Sequence, residues 1–149
     1  MEKEICLKVF FDGACNGRNT GGRVEIGIGV CTLADGVIQE AYSKSAKVGR
    51  GTNNDAEFKA LIEALKQAAY YQEEIAAERR LRVQIFGDSQ VIINLFNGDS
   101  RSDIPRFKSY LKQAHYIRDL IGDALEFVKW IPREMNVPAD EYSKKCFEQ

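Results

Sequence analysis

Asp12 in DGAC, Glu57 in TNNDAE, Asp88 in GDSQ and Asp140 in NVPAD are four acidic residues spread over most of a 149-residue chain. Carboxylates are hard oxygen ligands, and Mg²⁺ takes a few of them together with water and substrate phosphate. The four cysteines, Cys6, Cys15, Cys31 and Cys146, form no C-x-x-C pair, and His115 is the only histidine, so metal-ligand spacing of sulfur or imidazole type is missing. Each acid also has a plainer reading. Asp12 ends an apolar run and suits a turn. Asp88 suits a helix cap. Glu57 follows Asn54 by three, the spacing of a capping box. Asp140 stands in the first turn of a helix, where negative charge favours the macrodipole. Acids this far apart act together only if the fold gathers them.

The elements that would gather them are legible. LKVFFD, VEIGIGV (Val24 to Val30, apolar at even positions) and VIQEAYSKSA read as three strands, the last two joined by an ADG hairpin turn. In NDAEFKALIEALKQAAYY, Phe58, Leu61, Ile62, Leu65, Ala68 and Ala69 recur at helical spacing. LRVQIFGD is a fourth strand, and DSQVIINLFNG a short helix closed by Gly98. A longer helix follows, with Ser102 as its cap, Pro105 at its start and Gly122 at its end. LEFVKWI is a fifth strand, and VPADEYSKKCFEQ a final helix with Pro138 in its first turn. The expected class is α/β: a five-stranded mixed sheet of order 3-2-1-4-5, the first three strands antiparallel, flanked by helices. The crossover between strands three and four is expected to be right-handed. Asp12 then ends strand one and Asp88 ends its parallel neighbour, strand four, at the switch point where open α/β sheets bind ligands.

The length suits one domain over residues 1–149, with a core that needs no disulfide. Hydrophobic content of 44% and charged content of 29% are ordinary for a globular chain. No apolar run nears the roughly 18 residues of a membrane span, and the acidic start MEKEICLKVF lacks a secretory h-region. Scattered thiols fit a reducing compartment. We therefore expect a cytoplasmic, monomeric chain without membrane contact. The net charge of −1 lacks the basic footprint usual in nucleic-acid binders, but a metal-holding carboxylate site is itself negative. Arg79, Arg80 and Arg82 are available elsewhere for phosphate contacts or as a solvated turn.

Taken together, DGAC, TNNDAE, GDSQ and NVPAD, in this order and on these elements, resemble the type 1 ribonuclease H family, from Phe10 to about Lys145. The resemblance implies a ribonuclease H-like fold and an endonuclease that hydrolyses the RNA strand of RNA/DNA hybrids. It implies two Mg²⁺ ions, with Mn²⁺ as a substitute, and products with 5′-phosphate and 3′-hydroxyl ends. The family's metal-binding carboxylates carry over to Asp12, Glu57, Asp88 and Asp140. Asp12 would bridge the ions, Glu57 and Asp88 would lie on the leaving-group side, and Asp140 would hold the nucleophile-side ion. Two such cations suit phosphodiester hydrolysis. Positions that read the RNA 2′-hydroxyl match Cys15, Asn19, Asn53 and Gln90, and Thr52 matches a contact to a DNA-strand phosphate. Thr52, Asn53 and Asn54 also read as a helix-cap cluster. The other readings are a non-catalytic ribonuclease H-like module and a nuclease of the same fold with another substrate.

The chain departs from the best-known bacterial members in three places. WIPREMNVPAD has no histidine before the last acid; Arg133, Glu134 and Asn136 match an R-E-x-N pattern of archaeal and plant-like members instead. Glu134 is a candidate for part of the missing role, and Arg133 and Asn136 are auxiliary candidates beside it. His115, inside a helix, reads as structural. Only NGDSR separates the two middle helices, so the extra basic helix that grips the hybrid is absent, with Lys108, Lys112 and Arg118 as partial substitutes. In DGACNGRNTGG one residue is added before Asn19, and Thr20 replaces a proline.

Overall fold

A long first strand is the spine of the molecule. The computed structural model describes residues 4–17 and 23–148. β1 (Ile5–Cys15) pairs on one side with antiparallel β2 (Val24–Ala34) and on the other with parallel β5 (Leu81–Gly87), which in turn pairs in parallel with β6 (Leu125–Trp130). β3 (Val37–Ile38) and β4 (Lys44–Gly51) both pair antiparallel with β2. The helices are α1 (Asn53–Glu74), α2 (Gln90–Asn97), α3 (Pro105–Ile121) and α4 (Val137–Lys145).

The sheet has the expected class and order, with one correction: the third strand is two strands, so the sheet has six strands among the described residues. The break has a local cause. A 3₁₀ turn at Glu40–Tyr42 interrupts the ladder beside Thr32. Ser43 Oγ accepts from the Thr32 N–H (3.0 Å), and Thr32 Oγ1 donates to the Tyr42 carbonyl (2.6 Å). Side chains thus satisfy Thr32 and Tyr42 groups that regular pairing would have used. The ADG turn forms as expected, with Asp35 at φ 47 and Gly36 at φ 84, the two positive values of a type I′ hairpin.

Alternation along β1 sorts its side chains between two faces. Leu7, Val9 and Phe11 are fully buried against Phe58, Leu61 and Leu65 of α1, with α3 behind through Phe107 and Ala114. Burying one such large side chain contributes roughly 1.5–3 kcal/mol. The other face carries Asp12 and receives α4, which lies on β2 where the sequence reads VEIGIGV. A β-carbon on Gly29 would lie 2.4 Å from the Ala139 carbonyl oxygen and 2.7 Å from the Tyr142 carbonyl carbon, and one on Gly27 would lie 2.5 Å from Cys146 Sγ. α4 therefore sits on strand backbone, an approach only glycine permits.

Both sheet edges are blunted. Lys59 Nζ donates to the Val48 carbonyl (2.9 Å) on β4, and Asn97 Nδ2 donates to the Val128 carbonyl (2.9 Å) on β6. Gly98 ends α2 in the left-handed conformation, as expected. The cap of α3 is Ile104 rather than Ser102; the Ser102 hydroxyl accepts from the Ile104 N–H (3.2 Å) two residues on. His115 is structural: its Nε2 lies 2.8 Å from the Phe96 carbonyl oxygen. All four cysteines are free, and no helix among the described residues is long and apolar enough to cross a membrane.

Candidate active site

Three chain segments deliver three acids to one point. Asp12 lies near the carboxyl end of β1 and is 5% exposed. Asp88 follows the last residue of the parallel neighbour β5, as the topology required. Glu57 projects from the start of α1. Asp12, Glu57 and Asp88 each offer an oxygen within 4.8 Å of the others. Asp140, in the first turn of α4, lines the same cleft, and its Oδ2 accepts from Lys144 Nζ at 3.0 Å.

Glu57 is free for this role because another residue caps the helix. The Asn54–Glu57 capping box does not form. Thr52 is the N-cap and Asp55 the third helical residue, the Thr52 side chain accepting from the Asp55 N–H (3.3 Å) and Asp55 Oδ2 accepting from the Thr52 N–H (2.8 Å). Thr52 and Asp55 share the box spacing of Asn54 and Glu57, which lie two residues later; the end of β4 at Gly51 settles which pair is used. Asp55 is also buried, bound by Arg106 Nε (2.8 Å) and Tyr110 Oη (3.2 Å) of α3. Glu57 is held close to β1 by Gly13, where a β-carbon would meet the Glu57 nitrogen at 2.5 Å.

The electrostatics are those of crowded, dehydrated carboxylates. Burial is the largest cause raising Asp12 from 3.8 to about 7; the charges of Asp88 and Asp140 add to it, and a hydrogen bond from Glu57 opposes it. Burial and the Asp12 charge hold Glu57 well above the usual carboxylate range. Glu57 Oε2 is buried and has no protein partner. Protons held by crowded oxygens, with one acceptor orphaned, are what a hard divalent cation would relieve. The residues present therefore fit such an ion.

The structure brings some of the other candidates to the cleft and leaves others outside. Cys15 and Asn53 line it, the Cys15 thiol donating to Asn53 Oδ1 (2.9 Å). Burial and the nearby Asp55 charge raise the Cys15 pKa, which keeps it a neutral thiol. Arg133 lines the cleft, whereas Glu134 is exposed and lies outside it. Gln90 is exposed at the start of α2 and is not among the cleft residues. Thr52 is also outside, its hydroxyl turned to Asp55. Asn136 is fully buried and donates to Asp88. Asn19 lies outside the described residues.

Two features were missed from sequence. Lys144 is four residues after Asp140 on a helix, a spacing that signals contact. Arg23 and Arg50 exchange hydrogen bonds with each other's carbonyls across β2 and β4 (3.0 and 3.1 Å). That pairing depends on strand register, so no local signal marks it. The proposed substitutes for a basic helix are mostly engaged: Lys108 approaches Asp103 (4.0 Å) and Arg118 pairs with Asp119 (3.0 Å), leaving Lys112 without an ion pair among the described residues.

Residues 10–146 match the reverse transcriptase-like family. EbsB of Enterococcus faecalis, provisionally named a hydrolase, is 25% identical over 143 residues, which span 96% of this chain and 95% of EbsB. RNase H1 of the halophilic archaeon Halobacterium salinarum is similar in structure, with a TM-score of 0.77 and 26% identity over 96% of this chain and 98% of that one. LC11-RNase H1, isolated from compost and solved in complex with an RNA/DNA hybrid, gives a TM-score of 0.79 and 26% identity over 95% and 96% of the two chains.

Proposed function

The chain belongs to the reverse transcriptase-like family and is a ribonuclease H hydrolase, and on that premise we propose that it cuts the RNA strand of RNA/DNA hybrids with two divalent cations, Mg²⁺ or Mn²⁺. One observation carries this reading: Asp12, Glu57 and Asp88, from three distant segments, converge within 4.8 Å on a cleft that Asp140 also lines. When bound, a cation pair would supply a deprotonated water and neutralise the leaving oxygen, and the products would carry 5′-phosphate and 3′-hydroxyl ends. The chain supplies the rest. Asp12 would be the ligand shared between the cations, with Glu57 and Asp88 holding one and Asp140 the other. Arg133 and Lys144, the cations lining the cleft among the described residues, would be placed to contact the scissile phosphate.

Strand discrimination falls to the other wall. Asn53, with Cys15 hydrogen-bonded to it, offers short polar groups for an RNA 2′-hydroxyl. Arg23, Arg50 and Arg106 gather around the Thr52–Asp55 cap and suit the phosphates of the DNA strand. Four free thiols favour work in a reducing compartment such as the cytoplasm.

The test is incubation of labelled RNA/DNA hybrid, double-stranded RNA and double-stranded DNA with Mg²⁺ or Mn²⁺, alongside an Asp88→Asn variant. We expect only the RNA of the hybrid to be cut, and the variant to be inactive. Cleavage of another duplex with the hybrid left intact would overturn the substrate. No cleavage with either metal would instead support a binding module.

A further inference from the structure

The segment from Trp130 to Asn136 wraps Asp88 at both ends. The Ile131 N–H donates to the Gly87 carbonyl (2.9 Å), and Trp130 Nε1 donates to the Asp88 carbonyl (3.2 Å). Asn136 Nδ2 donates to Asp88 Oδ2 (3.0 Å) and to the Phe11 carbonyl (2.9 Å), one residue before Asp12. The Asn136 carbonyl accepts from the Asp140 N–H (3.0 Å) as α4 begins. Asn136 is 0% exposed, and its Oδ1 is buried without a protein partner. The amide orientation is dictated by its neighbours, because both contacts are acceptors and only the NH₂ group can serve them.

We propose that Asn136, assisted by Trp130, is a positioning residue that fixes Asp88 for metal binding and ties it to β1 and to the helix carrying Asp140. The proposal rests on the reading of this site as a metal centre. Asp88 lies just beyond its strand, where the ladder no longer restrains it, and it shares a crowded cleft with Asp12 and Glu57. A neutral donor holds its carboxylate in place without adding a charge that competes with the cation. Lys144 on Asp140 differs in kind, since its ammonium must share that carboxylate with any ion. The histidine-free loop is therefore a brace: its acid, Glu134, is exposed outside the cleft, while Trp130 and Asn136 grip Asp88.

Asn136→Ala removes both donated bonds, and Trp130→Phe removes one donor while keeping the ring at a 42% exposed position that tolerates change. Mn²⁺ affinity would be measured on the substrate-free protein from the resonance of unbound Mn²⁺, alongside kcat and KM for the hybrid and melting in EDTA. Loss of a partner of a metal ligand costs about 10–100-fold in affinity or activity. Asn136→Ala should weaken Mn²⁺ binding and kcat by that order with KM little changed, and Trp130→Phe should give a smaller loss of the same sign. A residue that only supports the fold would lower the melting temperature and leave the Mn²⁺ affinity of the folded protein intact. Mn²⁺ binding and kcat within about twofold of wild type in the folded variants would overturn the proposal; should Asn136→Ala not fold, Trp130→Phe alone decides. A wild-type protein that binds Mn²⁺ but cuts no hybrid would refute the substrate and leave this inference standing. One that binds no Mn²⁺ would sink both.

Discussion

Asp12 keeps its proton to about pH 7 because burial and two neighbouring acids oppose its charge. The folded-state value lies above the unfolded 3.8, so the folded protein holds more protons between the two. Stability without metal must therefore fall as pH rises through that window, with the full cost present above about pH 7. Asp12→Asn removes the titrating group. In EDTA at pH 8 it should melt above wild type, by on the order of 1–3 kcal/mol, and the advantage should vanish near pH 4; cleavage should be lost at every pH. Equal stability of the two proteins across pH 4–8 would contradict the assignment. At this scale Asp12 and Asp88 were legible, because each ends an apolar strand pattern on adjacent parallel strands. Asn136 was legible only as a motif match. Its contacts with Asp88 and Phe11 join residues 48 and 125 positions away, beyond any local pattern.

At the scale of elements, two contacts hold the acid-bearing helices. α4 rests on Gly29, where a β-carbon would lie 2.4 Å from backbone oxygen of Ala139. Gly29→Ala should lift the helix, costing about 1–3 kcal/mol by overpacking and shifting Asp140, so that cleavage falls more than hybrid affinity. Full kcat with lowered stability would show that α4 tolerates displacement. α1 is locked by Asp55, whose carboxyl lies below its usual range because the Thr52 and Arg106 hydrogen bonds outweigh burial. That contribution is present at neutral pH and lost in acid. Asp55→Ala removes the cap and the bonds from Arg106 and Tyr110, costing about 2–3 kcal/mol; a melting temperature within 1–2 °C of wild type, well below the roughly 4–12 °C this implies, would argue against it. The strand alternation of VEIGIGV was readable, and so was the helical spacing from Phe58 to Ala69. The use of its glycines was not, because strand periodicity does not say which helix will cover a face. The division of the third strand was hidden for a related reason: the Ser43 hydroxyl accepts from the Thr32 N–H and the Thr32 hydroxyl donates to the Tyr42 carbonyl, bonds from side chains that a propensity reading treats as ordinary strand residues.

The whole molecule has a net charge of −1, and among the described residues its cations near the cleft are few: Arg23, Arg50, Arg106, Arg133 and Lys144. Five phosphate contacts would set a log–log salt slope no steeper than about −5 for hybrid binding. Filter binding of the Asp88→Asn variant across a salt series tests this, and a markedly steeper slope would reveal a basic surface not accounted for. The absence of a further helix between α2 and α3 was readable from the short NGDSR connection, whereas the Arg23–Arg50 pair needed the register of β2 and β4.

The glycine seat of α4 has a consequence for how the cleft is held. Because the helix bears on backbone, the side chains of the main core, all on the opposite face, do not set its height. The spacing between Asp12 and Asp140 is therefore set by Gly27 and Gly29, whereas the position of Glu57, carried by α1 against Leu7, Val9 and Phe11, is tied to the main core. The cleft is suspended between two independent supports, and a change in either one moves only the acids on its own side.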